Sequence, residues 1–471
     1  MRAVPVGTAV VVGAAVGLVV VGGVGGVAAQ AASGDQEVTV LTLREALERA
    51  ARFNPQYRQA LNRMELEEPQ RRQAWGAFLP DLSVSYGTGQ SFSRERTALD
   101  FFGNPIENPV FETVSYSSSG QGVTLGLDLF RGGQRFHLYD RARAQARVDL
   151  LSARRELNAI LAEVQRHFLV AQRQKARLAV EEQLLAARES DFEVARRLFE
   201  LATVGRSDLL GAELDLESQR VAVTDYRGQV EQARLALRRA IGDPAMGVAD
   251  VEQQFPEPFD PASLDVEELV AAAVREGPAV GAAEAARSVS RSQLGSAKAT
   301  RWPSLSLNSG FSRDSFGLER AALFDFNPED MAGYLRLSVS IPVFRRFETS
   351  QQIAGAEVDL RNAGEDVRSA ELDVEERVRA SYVELETAWA NVRQREVALE
   401  VAGERLRIVQ EEYRLATRSI EELRTAIRDE ATAQRDAVDQ RFAFALALLD
   451  LHEAAGIVAQ EAELDTTREQ D

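Results

Sequence analysis

The sequence has no cysteine. That excludes disulfides, thiol catalysis, cysteine-ligated metal and a lipid-modified N-terminal cysteine. Lysine is nearly absent: among the 55 basic residues only Lys175 and Lys298 are lysines. Basic charge is scarce overall, since 73 acidic residues leave a net charge of −18, which argues against nucleic acid and anionic membrane surfaces as partners. Histidine occurs three times, as His137, His167 and His452, and none has H-E-x-x-H spacing. No P-loop and no G-x-S-x-G occurs, so the chain offers no catalytic constellation and no expected metal or cofactor. Apolar runs as long as the ~20 residues of a spanning helix are also missing beyond the N-terminus.

That N-terminus, residues 1–31, reads as a secretory signal. Arg2 supplies the positive start, Ala9 to Val20 the apolar core, and Ala29-Gln30-Ala31 the cleavage site. A membrane anchor is the competing reading, but Gly22, Gly23, Gly25 and Gly26 make a poor span. The mature chain is therefore expected to be exported without a transmembrane helix.

What the sequence does contain is a duplication. Residues 41–55, LTLREALERAARFNP, align without a gap on residues 264–278, LDVEELVAAAVREGP. The same register carries Pro80 onto Pro303. A second register carries Phe130-Arg131 onto Phe344-Arg345, Leu201-Ala202-Thr203 onto Leu415-Ala416-Thr417, and Gly242 onto Gly456. The two registers differ by nine residues, placed between the predicted strands. A repeat this long dictates fold and symmetry. The expected organisation is a first repeat over 32–242, a linker over 243–263 with little regular structure, a second repeat over 264–456, and a loosely held acidic tail over 457–471.

Each repeat predicts the same elements. A helix spans Thr42 to Ala77, and again Asp265 to Thr300, ended by Pro80 and Pro303. A strand pair follows, over 82–129 and 304–342, in which apolar and small polar residues alternate with period two. Leu82-Ser83-Val84-Ser85-Tyr86 and Leu335-Arg336-Leu337-Ser338-Val339 show it best. Four strands with no second sheet to cover them do not make a stable soluble layer. Strands that are apolar outside and polar inside suit a membrane barrel. Four are too few to close one, so several copies must share it.

A long helical hairpin completes each repeat, over 134–242 and 348–456. Its second helix carries an apolar seam with alternating steps of three and four, from Leu209 through Leu216, Val223 and Val230 to Leu237. That period specifies left-handed coiled-coil packing. The fold class is α+β: a β-barrel continued by an elongated coiled-coil α-helical barrel.

The order and spacing of these motifs resemble the TolC-like outer membrane efflux protein family. The matching passages are Leu41 to Pro55, Gly76 to Ser83, Leu129-Phe130-Arg131-Gly132-Gly133, and Ser207 to Glu213. The resemblance implies a homotrimer whose 12-stranded barrel sits in the outer membrane lipid and whose helices cross the periplasm. It implies a passive exit duct for tripartite efflux or type I secretion, docked on a periplasmic adaptor and an inner-membrane pump of RND, ABC or MFS type. An exported coiled-coil stalk or adhesin without a channel is the alternative. By the resemblance, the turns between the long helices form the periplasmic gate. Asp208, Tyr413, Arg418 and Glu422 fall on the gate positions, with Arg418 expected to pair with Asp208. The Leu201-Ala202-Thr203 and Leu415-Ala416-Thr417 triplets fall on the adaptor-contact tips. Thr425 stands where the family prototype has a second acid, so one acidic layer is expected.

Overall fold

In a computed structural model, the structure describes residues 40–96, 102, 104, 111–202, 204–247, 249–253, 255–317, 330–415 and 417–461. The expected signal segment, residues 1–31, lies outside them. Each repeat opens on short helices rather than on one long one. In the first repeat these are α1 (Leu43–Phe53), α2 (Pro55–Met64) and α3 (Glu67–Gly76), preceded by the short strand β1 (Val40–Leu41). In the second they are α6 (Val266–Glu276) and α7 (Pro278–Ala299). This corrects the single helices expected over 42–77 and 265–300. The break is chemical: Pro55 and Pro278 have no N–H for the preceding turn and settle at the first helical positions. Asn54 caps α2, accepting from the Gln56 and Tyr57 N–H groups at 2.9 and 3.3 Å, and donates to the Ala240 carbonyl at 2.7 Å.

The strands β2 (Asp81–Arg96), β3 (Phe111–Arg131), β5 (Ser304–Gly317) and β6 (Asp330–Ser340) form one antiparallel sheet in the order β2-β3-β5-β6. Register puts like with like. Leu82 lies opposite Leu125, Val84 opposite Val123, Val123 opposite Phe311, Leu127 opposite Leu307, and Leu307 opposite Leu337. On the other face Ser83 meets Thr124, with their hydroxyls 2.6 Å apart, and Asp128 meets Ser306. The apolar face is bare: Val84 is 78% and Leu335 74% exposed. The stretch between the strands of each pair, where the nine-residue difference between repeats is expected, lies mostly outside the described residues.

The long helices are α4 (Gln134–Glu200) and α5 (Arg206–Ile241) in repeat one, and α8 (Glu348–Arg414) and α9 (Ile420–Ala455) in repeat two. At 67 residues, α4 and α8 are each about 100 Å long. The α5 seam residues Ala212, Leu216, Gln219, Val223, Val230, Ala233 and Leu237 are buried, as their period requires. Each hairpin returns to its own entry corner through a left-handed glycine. Side chains at Gly242 and Gly456 would stand 2.7 and 3.1 Å from the rings of Pro55 and Pro278.

The segment 243–263 carries more structure than expected. Its strand β4 (Asp250–Val251) pairs in parallel with β1. Asp250 ties it to the helices by accepting from Lys175 at 2.7 Å and from Arg234. The start of the tail is also held: α10 (Val458–Glu461) buries Val458 and Ala459, and the Ala459 N–H donates to Asn158 at 2.9 Å. Apolar side chains in a short helix found a cover where composition alone suggested a loose end.

A ladder of ion pairs joins α4 of repeat one to α9 of repeat two. Arg166 reaches Asp450 and Glu453, Arg173 and Arg177 share Asp439, and Arg435 grips Glu181 through two bonds of 2.7 and 2.9 Å. Glu181 is only 1% exposed, and Gln219 of α5 adds a bond of 2.7 Å. Burial pushes its pKa up, but Arg435 and Gln219 outweigh burial and hold it below the ordinary value. Arg435→Ala is expected to cost roughly 3–5 kcal/mol, because it strands a buried carboxylate. The sign of the pH dependence follows from the lowered pKa. The stabilisation is present above the ordinary glutamate range and is lost as pH falls through the folded value. Thermal melting of both proteins across that range should show a gap at neutral pH that narrows in acid.

Candidate functional site at the helical tips

The two turns between the long helices lie at the end of the chain farthest from the sheet, one helix length away. In repeat one, α4 ends at Glu200, Leu201 caps it, and Ala202 takes a left-handed backbone with φ 56. Asp208 then accepts from the Gly205 N–H at 3.2 Å, satisfying the start of α5. Glycine has no side chain to return the bond. In repeat two the same positions hold Ser419 and Glu422, which form a full capping box. The Glu422 N–H donates to the Ser419 hydroxyl at 3.3 Å, and the Glu422 carboxylate accepts from the Ser419 N–H at 3.1 Å.

Arg418 closes the second turn. Its guanidinium donates to Glu412 at 2.8 Å on the last turn of α8, and to Glu422 at 2.7 Å on the first turn of α9. The Ser419 N–H, then Arg418 and the Ser419 hydroxyl, hold the Glu422 carboxyl below its usual range. Both carboxylates raise the Arg418 pKa further, so the arginine stays charged. Thr417 fixes the same turn, donating from its hydroxyl to the Glu412 carbonyl at 2.8 Å.

The expected pairing of Arg418 with Asp208 does not form within the chain. Each group is occupied by its own turn, Arg418 by Glu412 and Glu422 and Asp208 by the Gly205 N–H. The structure instead brings Asp208 together with Tyr413. Both line a cavity of about 320 Å³ between the two hairpins, whose wall also includes Asp191, Asp215, Leu423 and Arg424. Tyr413 packs against the small apolar cluster of Val409, Leu423, Ala426 and Ile427.

The charged residues around that cavity were not found by reading the sequence. Arg188 lies 3.7 Å from Asp191 and 3.9 Å from Asp215, and Arg424 lies 3.8 Å from Asp215. These contacts are looser than the Glu181–Arg435 pair higher up the same interface. Burial, with a contribution from Asp215, leaves the Asp191 carboxyl above its usual range despite Arg188 and Arg424. The four residues come from α4, α5 and α9, and no local pattern links them.

Of the tip triplets, Leu201 and Leu415 are 74% and 73% exposed, a match that follows the repeat. Thr203 and Ala416 lie outside the described residues.

Comparison with known proteins bears on the whole chain. The model of the outer membrane efflux protein family matches residues 45–243 and 269–457. Protein CyaE of Bordetella pertussis is 28% identical over 357 residues, covering 74% of this chain and 70% of that protein. The toluene efflux pump outer membrane protein TtgF of Pseudomonas putida is 24% identical over 332 residues, covering 70% of this chain and 64% of its own length. Among solved structures, the outer membrane protein VceC from Vibrio cholerae superposes with a TM-score of 0.69 at 17% identity, covering 88% of this chain and 96% of that one. A membrane protein from Pseudomonas aeruginosa gives 0.69 at 22% identity, covering 88% and 93%. Members of the matched family are trimeric outer membrane channels that work with adaptors and inner-membrane pumps. With the family model covering both repeats, the chain belongs to the outer membrane efflux protein family and serves as an outer membrane exit duct that extends into the periplasm.

Proposed function

We propose that the chain acts as a homotrimeric passive conduit, with no catalytic role, coupled through a periplasmic adaptor to an inner-membrane pump of RND, ABC or MFS type. The observation that carries this reading is the pair of unfinished edges. α4 contacts both α5 and α9, and α9 contacts α8, so the long helices lie side by side in the order α5-α4-α9-α8. The outermost helices both carry exposed apolar residues at heptad-like steps. These are Leu210, Leu214, Val221 and Leu235 on α5, and Val383, Val397, Val401 and Ile408 on α8. Below the membrane, α8 of one copy supplies the seam that α5 of the next lacks. Within it, β2 and β6 are the open edges of the sheet. Head-to-tail closure satisfies both edges at once. A stalk or adhesin has no use for the bare apolar sheet.

The tips are the proposed gate and docking points. Arg418 fixes the shape of the α8–α9 turn, and a threefold axis brings three Glu422 carboxylates toward one another, where like charges repel. Tyr413 and Asp208 share the cavity between hairpins, so a motion that separates the hairpins alters both. Exposed ion pairs contribute little individually, and adaptor contact can shift such a balance. Leu201-Ala202-Thr203 and Leu415-Ala416-Thr417 present a similar apolar tip six times around the trimer.

Two experiments test this. In planar bilayers the wild-type trimer is expected to conduct ions weakly, and Arg418→Ala is expected to raise single-channel conductance. A soluble monomer would overturn the duct, and unchanged conductance would overturn the role of Arg418. Leu201→Asp with Leu415→Asp should conduct as the wild type does, yet lose export in cells that carry the adaptor and pump. Undiminished export would remove the tips as docking points.

A further inference from the structure

The repeats diverge in one place that the duct reading leaves unexplained. Where the second strand turns into the long helix, repeat one reads Phe130-Arg131-Gly132-Gly133 and repeat two reads Phe344-Arg345-Arg346-Phe347. The backbone is left-handed at both corners, with φ 58 and 83 at the two glycines, and 48 and 65 at Arg346 and Phe347. Glycine adopts this region freely, whereas arginine and phenylalanine are strained in it. Two strained side chains side by side point to a use for what they present.

What they present is apolar and cationic. Phe344 and Phe347 are 70% and 76% exposed, and their rings meet edge to face at 5.5 Å. They continue the outward apolar row of β6, Leu335, Leu337 and Val339, through Ile341 and Val343. Arg345 and Arg346 are exposed beside them. At the first corner Trp302 is exposed, Arg301 stands next to it, and Arg135 lies over the Phe78 ring at 4.9 Å. Of the acids nearest in sequence, Asp128 pairs with Arg131 at 3.0 Å, while Glu348 accepts from the neutral Gln352 at 3.2 Å and is one acid beside the two arginines Arg345 and Arg346. In a chain of net charge −18, an aromatic and arginine band at the barrel's periplasmic rim is a local reversal.

We propose that the Phe344–Phe347 corner, with the Arg301–Trp302 corner, binds the headgroups of anionic phospholipids in the inner leaflet of the outer membrane. This rests on the duct reading, which fixes the sheet in that membrane and the helices below it. The rings enter the boundary between acyl chains and headgroups, where aromatic residues settle at membrane interfaces. The guanidinium groups fork onto phosphate oxygens. Continuity with the lipid-facing strand and the sign of the charge both select a phospholipid. The side chain at the Phe347 position has room for this role, since a Cβ on its counterpart Gly133 would meet nothing within 4 Å. At Gly132 the reverse holds, because a side chain there would stand 2.3 Å from the Ala299 carbonyl. Repeat one therefore keeps its glycine there.

The test uses the full-length trimer in mixed micelles of phosphatidylethanolamine and phosphatidylglycerol, with bound lipid counted by native mass spectrometry. The wild type is expected to retain phosphatidylglycerol preferentially. Arg345→Gln with Arg346→Gln should lower that retention by about tenfold or more, at roughly 1 kcal/mol per cation near an anionic surface. Arg346→Gly with Phe347→Gly, which copies repeat one, should lose lipid while the trimer melts no lower than the wild type, because the strain is relieved. Equal retention of the two lipids, or retention unchanged in the glutamine variant, would overturn the proposal. So would loss of the trimer in the glycine variant, which would assign the corner to contacts between copies. Failure of the duct reading looks different: the wild type itself would neither trimerise nor conduct.

Discussion

Everything in this protein depends on an antiparallel sheet whose apolar face has nothing among the described residues to bury against. Leu82, Val84, Leu335 and Leu337 stand on it in the open, and both edge strands leave backbone groups unpaired. Water tolerates neither condition over four strands of this length. A bilayer accepts the apolar face but rejects open edges even more firmly, since no water is there to satisfy them. The sheet therefore demands lipid outside and further copies at its sides. That double demand sets the membrane, the assembly and the lumen together.

The helices solve the complementary problem below the membrane. Each hairpin buries its seam on itself, and the α4–α9 ladder joins the two hairpins into one ribbon. The ladder is not uniform. Glu181, almost fully buried, is gripped by Arg435 and Gln219, whereas toward the tip the pairs loosen around a cavity. Separating Glu181 from its partners would leave a desolvated charge, so opening the interface at this level is costly. The tighter upper interface and the looser tip are consistent with the gate proposed at the tips.

Symmetry within the chain is close in the elements and broken at their ends. Gly205 and Asp208 become Ser419 and Glu422 at the tips, and Gly132 and Gly133 become Arg346 and Phe347 at the rim. The backbone follows nearly the same path in both cases. Helix ends and corners lie outside the core, so substitutions there change the surface without changing the fold. The two repeats thus share a scaffold and differ at its two extremities.

The sequence by itself determined the duplication, the strand pairs and the long helices. Each is written in a period or in a punctuating residue that acts over a few positions. The class of function was legible through the resemblance carried by motifs such as Leu41 to Pro55 and Leu129 to Gly133, whereas periodicity alone left a coiled-coil stalk open. The internal breaks at Pro55 and Pro278 were equally present in the sequence, as an Asn-Pro and a Gly-Pro step inside a helical pattern. Only the tertiary structure decided which charges meet. Arg418 turned from Asp208 to Glu412 and Glu422 because its own turn offered two nearer carboxylates. The residues around the tip cavity, and the burial of Val458 and Ala459, depend on helices distant in sequence converging in space. Periodicity reports which face of an element is apolar, but it carries no record of what that face, or the charges beside it, will touch.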